Sequence, residues 1–142
     1  MSNRARGYIA SGEFNGNRMP QHLQNQIVKS YCDANNLEFV LSRAEYWING
    51  GTQCQLWAAL KEGFKNIVFF SLWQLPNSKK DREKVYEYCK SKGVILHFAV
   101  ERMHANPEES SFADIEILIQ SNLAMLHSSK NYDYLVALKN LI

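Results

Sequence analysis

Along this chain, short apolar runs alternate with apolar positions at helical spacing. Arg6 to Ala10 (RGYIA) reads as a strand, and a Gly- and Asn-containing loop, SGEFNGNRM, follows it. Pro20 suits the first turn of a helix, where its missing N–H would have no partner anyway. From Gln21 the apolar residues Leu23, Ile27, Tyr31 and Ala34 recur every three or four positions, and Asn35-Asn36 ends the pattern. Leu37 to Leu41 (LEFVL) predicts a second strand. The next loop, SRAEYWINGG, carries the turn punctuation Asn49-Gly50-Gly51, and Thr52 is the expected cap of a helix through LWAALKEG that Gly63 stops. Asn66 to Ser71 (NIVFFS) is continuously apolar between polar residues, the mark of a strand covered on both faces. Ser78 is the expected cap of a third helix, DREKVYEYCKSK, which Gly93 ends, and VILHFAV makes a fourth strand.

This alternation predicts an α/β fold: a three-layer sandwich around a mostly parallel four- or five-stranded sheet, joined by right-handed crossovers. The tail differs. Pro107 through Leu126 reads as a long helix with Phe112, Ile115, Ile119, Leu123 and Leu126 on one stripe, and YDYLVALKNLI as a final short helix. So broad an apolar face has to be buried against the sheet or another subunit. Residues 1–142 are therefore expected as one α/β domain. Within it, 107–142 is expected as a helical extension that mediates homodimerisation or a higher homo-oligomer.

Composition narrows the choices. At 142 residues and 46% apolar, the chain can bury a core, and no 18-residue apolar run or signal-peptide core is present, so no membrane association and a cytoplasmic location are expected. Sixteen Lys and Arg against 14 Asp and Glu leave a charge of only +2, which creates no electrostatic demand for nucleic acid, so nucleic acid is not the expected partner. Cys32, Cys54 and Cys89 are scattered without CxxC spacing, which suits a reducing compartment.

In a parallel α/β sheet, ligands meet the loops beyond the carboxyl ends of the strands. By that test Ser11, Glu13, Arg18 and His22 follow strand one, Ser42, Arg43 and Glu45 follow strand two, and Ser71, Trp73 and Gln74 follow strand three. Glu101 ends strand four and His97 lies within it. Ser11 would need a neighbouring base, or an electropositive setting, to act as a nucleophile; it also suits a strand-end serine that satisfies loop N–H groups. Arg18, just before a helix N-terminus, suits phosphate or carboxylate. Glu13 and Glu45 either face each other for acid–base work or pair with Arg18 and Arg43. His97 is a core histidine or an acid–base group, and Glu101 is the better-placed acid. No HxH, HxxxH or HExxH spacing, GxGxxG or GxxxxGK[ST] occurs, so neither a metal nor another cofactor is expected.

The order YIAS, QHLQNQIVKSYCDANN, the Gly50-Gly51 turn, KNIVFFSLWQLPNS and SKGVILHFAVE resembles the catalytic domain of serine recombinases (resolvases and invertases) over about residues 5 to 101. The resemblance implies that Ser11 stands at or next to the nucleophile position and that Gln21 or Gln24 matches a helix-opening glutamine. It also implies arginines that clamp the scissile phosphate. In their places this chain has Ile9-Ala10, Gln53-Cys54-Gln55, and Gln74 and Asn77 within WQLPN. DNA strand transfer is therefore not expected.

A second set of stretches, RGYIASGEFNGNRMPQHLQN, LSRAEYW, FFSLWQLP and LHFAVE, resembles a small bacterial family encoded sporadically in surface-carbohydrate gene clusters. That resemblance implies capsule or lipopolysaccharide biosynthesis and a sugar phosphate or nucleotide sugar as ligand. On this expectation Glu13, His97, Glu101 and Ser11 are the catalytic candidates, and Arg18, His22, Gln21, Glu45, Ser71, Trp73 and Gln74 bind substrate. The alternatives are a non-catalytic partner of a glycan-biosynthesis enzyme and a degenerate recombinase-like nucleic-acid-binding domain without strand transfer.

Overall fold

The computed structural model describes residues 3–14, 17–46, 53–109 and 111–123. Its strands are β1 (Arg4–Ala10), β2 (Glu13–Phe14), β3 (Asn17–Arg18), β4 (Glu38–Glu45), β5 (Asn66–Phe69), β6 (Ile95–Phe98) and β7 (Met103–Ala105). Its helices are α1 (Gln21–Ala34), α2 (Cys54–Lys61), α3 (Lys79–Lys92) and a helix over 111–123, here α4. The main sheet has the order β4-β1-β5-β6-β7, parallel except for β7, which returns antiparallel to β6. A two-residue antiparallel ribbon, β2 with β3, stands apart. The fold is α/β with a five-stranded, mostly parallel sheet, as the alternating pattern predicts.

Burial explains which strands were easy to read. All four residues of β5 are buried, and its unbroken apolar run follows from having helices over both faces. On one face Ala5, Ile9, Val68, Phe70 and Ala99 meet Val28, Tyr31 and Cys32 of α1. On the other, Tyr8, Ile67, Phe69, Leu96 and Phe98 meet α2, α3 and α4. At the edge, β4 has a half-exposed pattern with Leu41 65% exposed. It runs four residues past LEFVL because Ser42 to Glu45 continue the ladder opposite Gly7 to Ala10.

Two expectations about local structure are corrected. Leu23 and Ile27 do not lie on the buried stripe of α1; they are 38% and 37% exposed, and the buried residues are Gln24, Val28, Tyr31 and Cys32. The helix crosses β1 at Gly7, where a Cβ would run into Ser42 Oγ and press on Val28 and Phe39, so this close approach requires glycine. The run VILHFAV is also not all strand. After Phe98 the chain turns through Ala99–Arg102, with Arg102 N–H donating to Ala99 O at 3.2 Å, and returns as β7.

The boundaries of α3 follow the sequence signals: Ser78 Oγ accepts from Asp81 N–H, and Gly93 ends the helix at φ +71°. In α4, Phe112, Ile115 and Ile119 are buried as their spacing predicts. Thr52, the Asn49-Gly50-Gly51 turn and residues 124–142, where the last helix is expected, lie outside the described residues. No described helix is long and apolar enough to cross a membrane.

Candidate functional site

The chain leaves β1 for β4 on one side and leaves β5 for β6 on the other, so the topological switch point falls between the carboxyl ends of β1 and β5. The residues there form a closed hydrogen-bonded network. Gln24, fully buried on the first turn of α1, accepts from Ala10 N–H (3.0 Å) and Gln74 Nε2 (2.8 Å). Its own amide nitrogen donates to Ala10 O and Met19 O, both at 2.7 Å. Gln74 Oε1 accepts from Phe70 N–H at 3.1 Å. Gln53 Nε2 donates to Gln74 O (2.8 Å) and to the Tyr8 hydroxyl (2.9 Å), and Tyr8 donates to Glu45 Oε1 (3.0 Å). Among the described residues no buried side-chain nitrogen or oxygen lacks a partner.

Glu45 is the last residue of β4, not a loop residue, and is 3% exposed. Its carboxylate accepts from Gln55 N–H (3.1 and 3.2 Å) and Leu56 N–H (3.2 Å), so it caps α2 from the end of β4 and complements the positive end of that helix. Burial raises the Tyr8 hydroxyl's pKa well above the usual tyrosine value, and the neighbouring Glu45 carboxylate adds to the rise. Tyr8 is therefore a fixed donor to Glu45 and not a proton source near neutrality.

Around this network the predicted site residues divide. Ser11 adjoins it: its N–H and Oγ donate to Glu45 O at 2.9 and 3.3 Å. Ser71 and Glu101 meet at the neighbouring strand ends. Ser71 Oγ donates to Glu101 Oε2 (2.8 Å), and Glu101 Oε1 accepts from Leu72 N–H (3.0 Å), fixing the single 3-10 turn Leu72–Gln74. Trp73 is half-buried beside a small cleft lined by Leu75, Pro76, Arg82, Ile119 and Leu123. Arg18 on β3 and His22 on α1 are exposed, and Gln21 is half-buried. The backbone of Glu13 pairs with Arg18 in the ribbon, and its side chain lies outside the described ones.

His97 is held apart from this crevice. The Tyr31 hydroxyl donates to Nδ1 (2.8 Å), and Nε2 donates to Oδ1 of Asn66 (2.9 Å), the first residue of β5. Burial, with a further push from His104, holds its pKa down at about 4 against an ordinary 6.5. The folded state therefore keeps the ring neutral, while the unfolded chain protonates it below pH 6.5. This contributes stability that is complete above pH 6.5 and is lost as pH falls towards 4, about 3 kcal/mol in all. Urea unfolding across that window is expected to show this slope, and His97→Gln to flatten it. An unchanged slope in the variant would remove His97 as its source.

The sequence reading missed Tyr8, met Gln53 only as one of the residues in place of an arginine, and left Gln21 and Gln24 open as alternatives. Gln24, Val28 and Tyr31 share one helical face, the signal that would have separated Gln24 from Gln21. The role of Gln53 has no local signature.

Solved structures similar to this fold are the N-terminal catalytic domain of TP901-1 integrase and a resolvase family site-specific recombinase from Streptococcus pneumoniae. The first has a TM-score of 0.59 at 12% identity, over 86% of this chain and 97% of that one. The second has a TM-score of 0.55 at 13% identity, over 90% and 96%. At such identities the likeness shows the fold, which is that of resolvase catalytic domains. No family model and no curated protein matches the chain.

These findings correct three expectations. The likeness to a surface-carbohydrate gene-cluster family has no support, because no family model matches. A role in capsule or lipopolysaccharide synthesis, with a sugar phosphate or nucleotide sugar as partner, is set aside because the similar folds belong to an integrase and a recombinase. For the same reason nucleic acid is no longer the improbable partner that a net charge of +2 suggested.

Proposed function

We propose that this is a cytoplasmic recombinase-like domain that binds nucleic acid without performing strand transfer. The carrying observation is that Gln53 and Gln74, which lie in the stretches Gln53-Cys54-Gln55 and WQLPN where the family resemblance calls for arginines, are both engaged through their amides in hydrogen bonds inside the protein. Phosphoryl transfer needs cationic groups aimed at the charge that develops in the transition state. Neutral amides held by Tyr8, Phe70 and Gln24 supply none, although Ser11 keeps its place beyond β1.

Binding asks less of the site than chemistry does, since phosphate contacts by exposed Lys and Arg suffice. Exposed Arg18, Lys79, Lys80 and Arg102 come from segments that follow the carboxyl ends of β1, β5 and β6. Fluorescence anisotropy with a labelled duplex and its single strand is expected to show binding that weakens steeply between about 50 and 200 mM salt. Denaturing gels of the same mixtures are expected to show no covalent protein–DNA adduct. An adduct through Ser11 would overturn the non-catalytic half of this reading, and absence of binding at low salt would overturn the other half.

A further inference from the structure

Four of the six arginines are held by the protein itself: Arg6 and Arg43 on Glu62, Arg82 on Glu116, and Arg4 over the Phe64 ring. Arg18 and Arg102 are exposed, and their guanidinium groups make no hydrogen bond or ion pair among the described residues.

Arg102 is also unusual in its backbone. Its φ is +55°, a region it shares among the described non-glycine residues only with Asn36. Asparagine tolerates this region through its short polar side chain, whereas arginine bears the steric cost in full. The residue ends the turn that folds β6 onto β7, a position where glycine is the usual and cheaper choice. The turn is firmly held: Ala99 and Val100 N–H donate to Phe69 O and Phe70 O at 2.9 Å, and Glu101 grips Ser71 Oγ and Leu72 N–H. The protein's own contacts thus give no reason for arginine where glycine would cost less, and they hold it in place beside the strand ends.

We propose that Arg102 is a phosphodiester-binding residue. Its guanidinium takes a backbone phosphate of nucleic acid lying across the carboxyl ends of β5 and β6. Arg18, on the ribbon beyond β1, takes another phosphate on the opposite side of the β1–β5 crevice. This rests on the nucleic-acid reading above and adds the contacts.

The test compares wild type, Arg102→Gly and Arg18→Ala by anisotropy against salt on a labelled duplex, with thermal unfolding of each protein. Arg102→Gly is expected to bind more weakly, with the log–log salt slope reduced by about 0.9 for one lost phosphate contact. The same variant is expected to melt about 2–4 °C higher, because glycine relieves the left-handed backbone, so unfolding does not explain its weaker binding. Arg18→Ala is expected to lose a similar slope. Unchanged binding and slope in Arg102→Gly would overturn the assignment and leave the nucleic-acid reading standing. A fall in its melting temperature would overturn the assignment too, since the arginine would then be serving the turn. No binding by the wild type would overturn both.

Discussion

Gln24→Ala is expected to lower the unfolding free energy by about 4 kcal/mol, because a buried donor or acceptor left unmade costs about 1–3 kcal/mol and this one amide serves four groups. Ala10 N–H, Ala10 O, Met19 O and Gln74 Nε2 all lose a partner. The loss should reach beyond α1, since Gln74 anchors Phe70 N–H and receives Gln53 through its carbonyl. Two further variants separate hydrogen bonding from volume. Gln24→Met fills the same space without the amide and should recover little. Gln24→Glu keeps the acceptor but sets an oxygen against Ala10 O and Met19 O, so it too should be destabilised near neutral pH. Urea denaturation with a constant m-value is the measurement. Gln24→Met within about 1 kcal/mol of wild type would mean the network's bonds add little beyond packing.

The same residue shows where the sequence could be read and where it could not. Helical spacing placed α1 correctly and Tyr31 in the core, but it put Leu23, Ile27 and Ala34 on the buried stripe where Gln24, Val28 and Cys32 lie, because Leu23 and Ile27 look like core and Gln24 does not. Burial of Gln24 depends on unpaired backbone groups at the end of β1 and on Gln74, 50 residues away. Glu45 shows the same limit, since its partners on α2 appear only once β4 lies beside β1. The short strand β7 was hidden because Met103–Ala105 is three residues long and its direction is set by the turn at Arg102. By contrast β1, β5 and the ends of α3 were legible, because continuous apolar runs, Ser78 and Gly93 act locally. Placing the crevice at the strand ends needed only topology. What fills it, amides in place of cations, needed side-chain geometry.

Arg82 carries the other large expected effect. Its sequence neighbours Lys79 and Lys80 give it the look of a solvated basic spot, yet it is 3% exposed and makes paired hydrogen bonds to Glu116 of α4, each 2.8 Å. Its remaining nitrogen donates to Pro76 O and Asn77 O, so one guanidinium ties α3, α4 and the segment after β5 together. The guanidinium, with help from Gln120 and Tyr86, holds the Glu116 carboxyl down at about 2. Its contribution is therefore complete above pH 4.5 and is lost as pH falls towards 2, below the window assigned to His97. Arg82→Met should cost about 3–5 kcal/mol, because it leaves Glu116 charged, partly buried and without its cation. Neutralising both partners removes that penalty, so Arg82→Met with Glu116→Leu should cost much less than the two single variants added together. The double variant should still fall short of wild type, since Pro76 O and Asn77 O remain without their donor. A double-mutant cycle reads this as strong coupling. Additive losses would instead mean that the two residues act separately, and that α4 is held by Phe112, Ile115 and Ile119 alone.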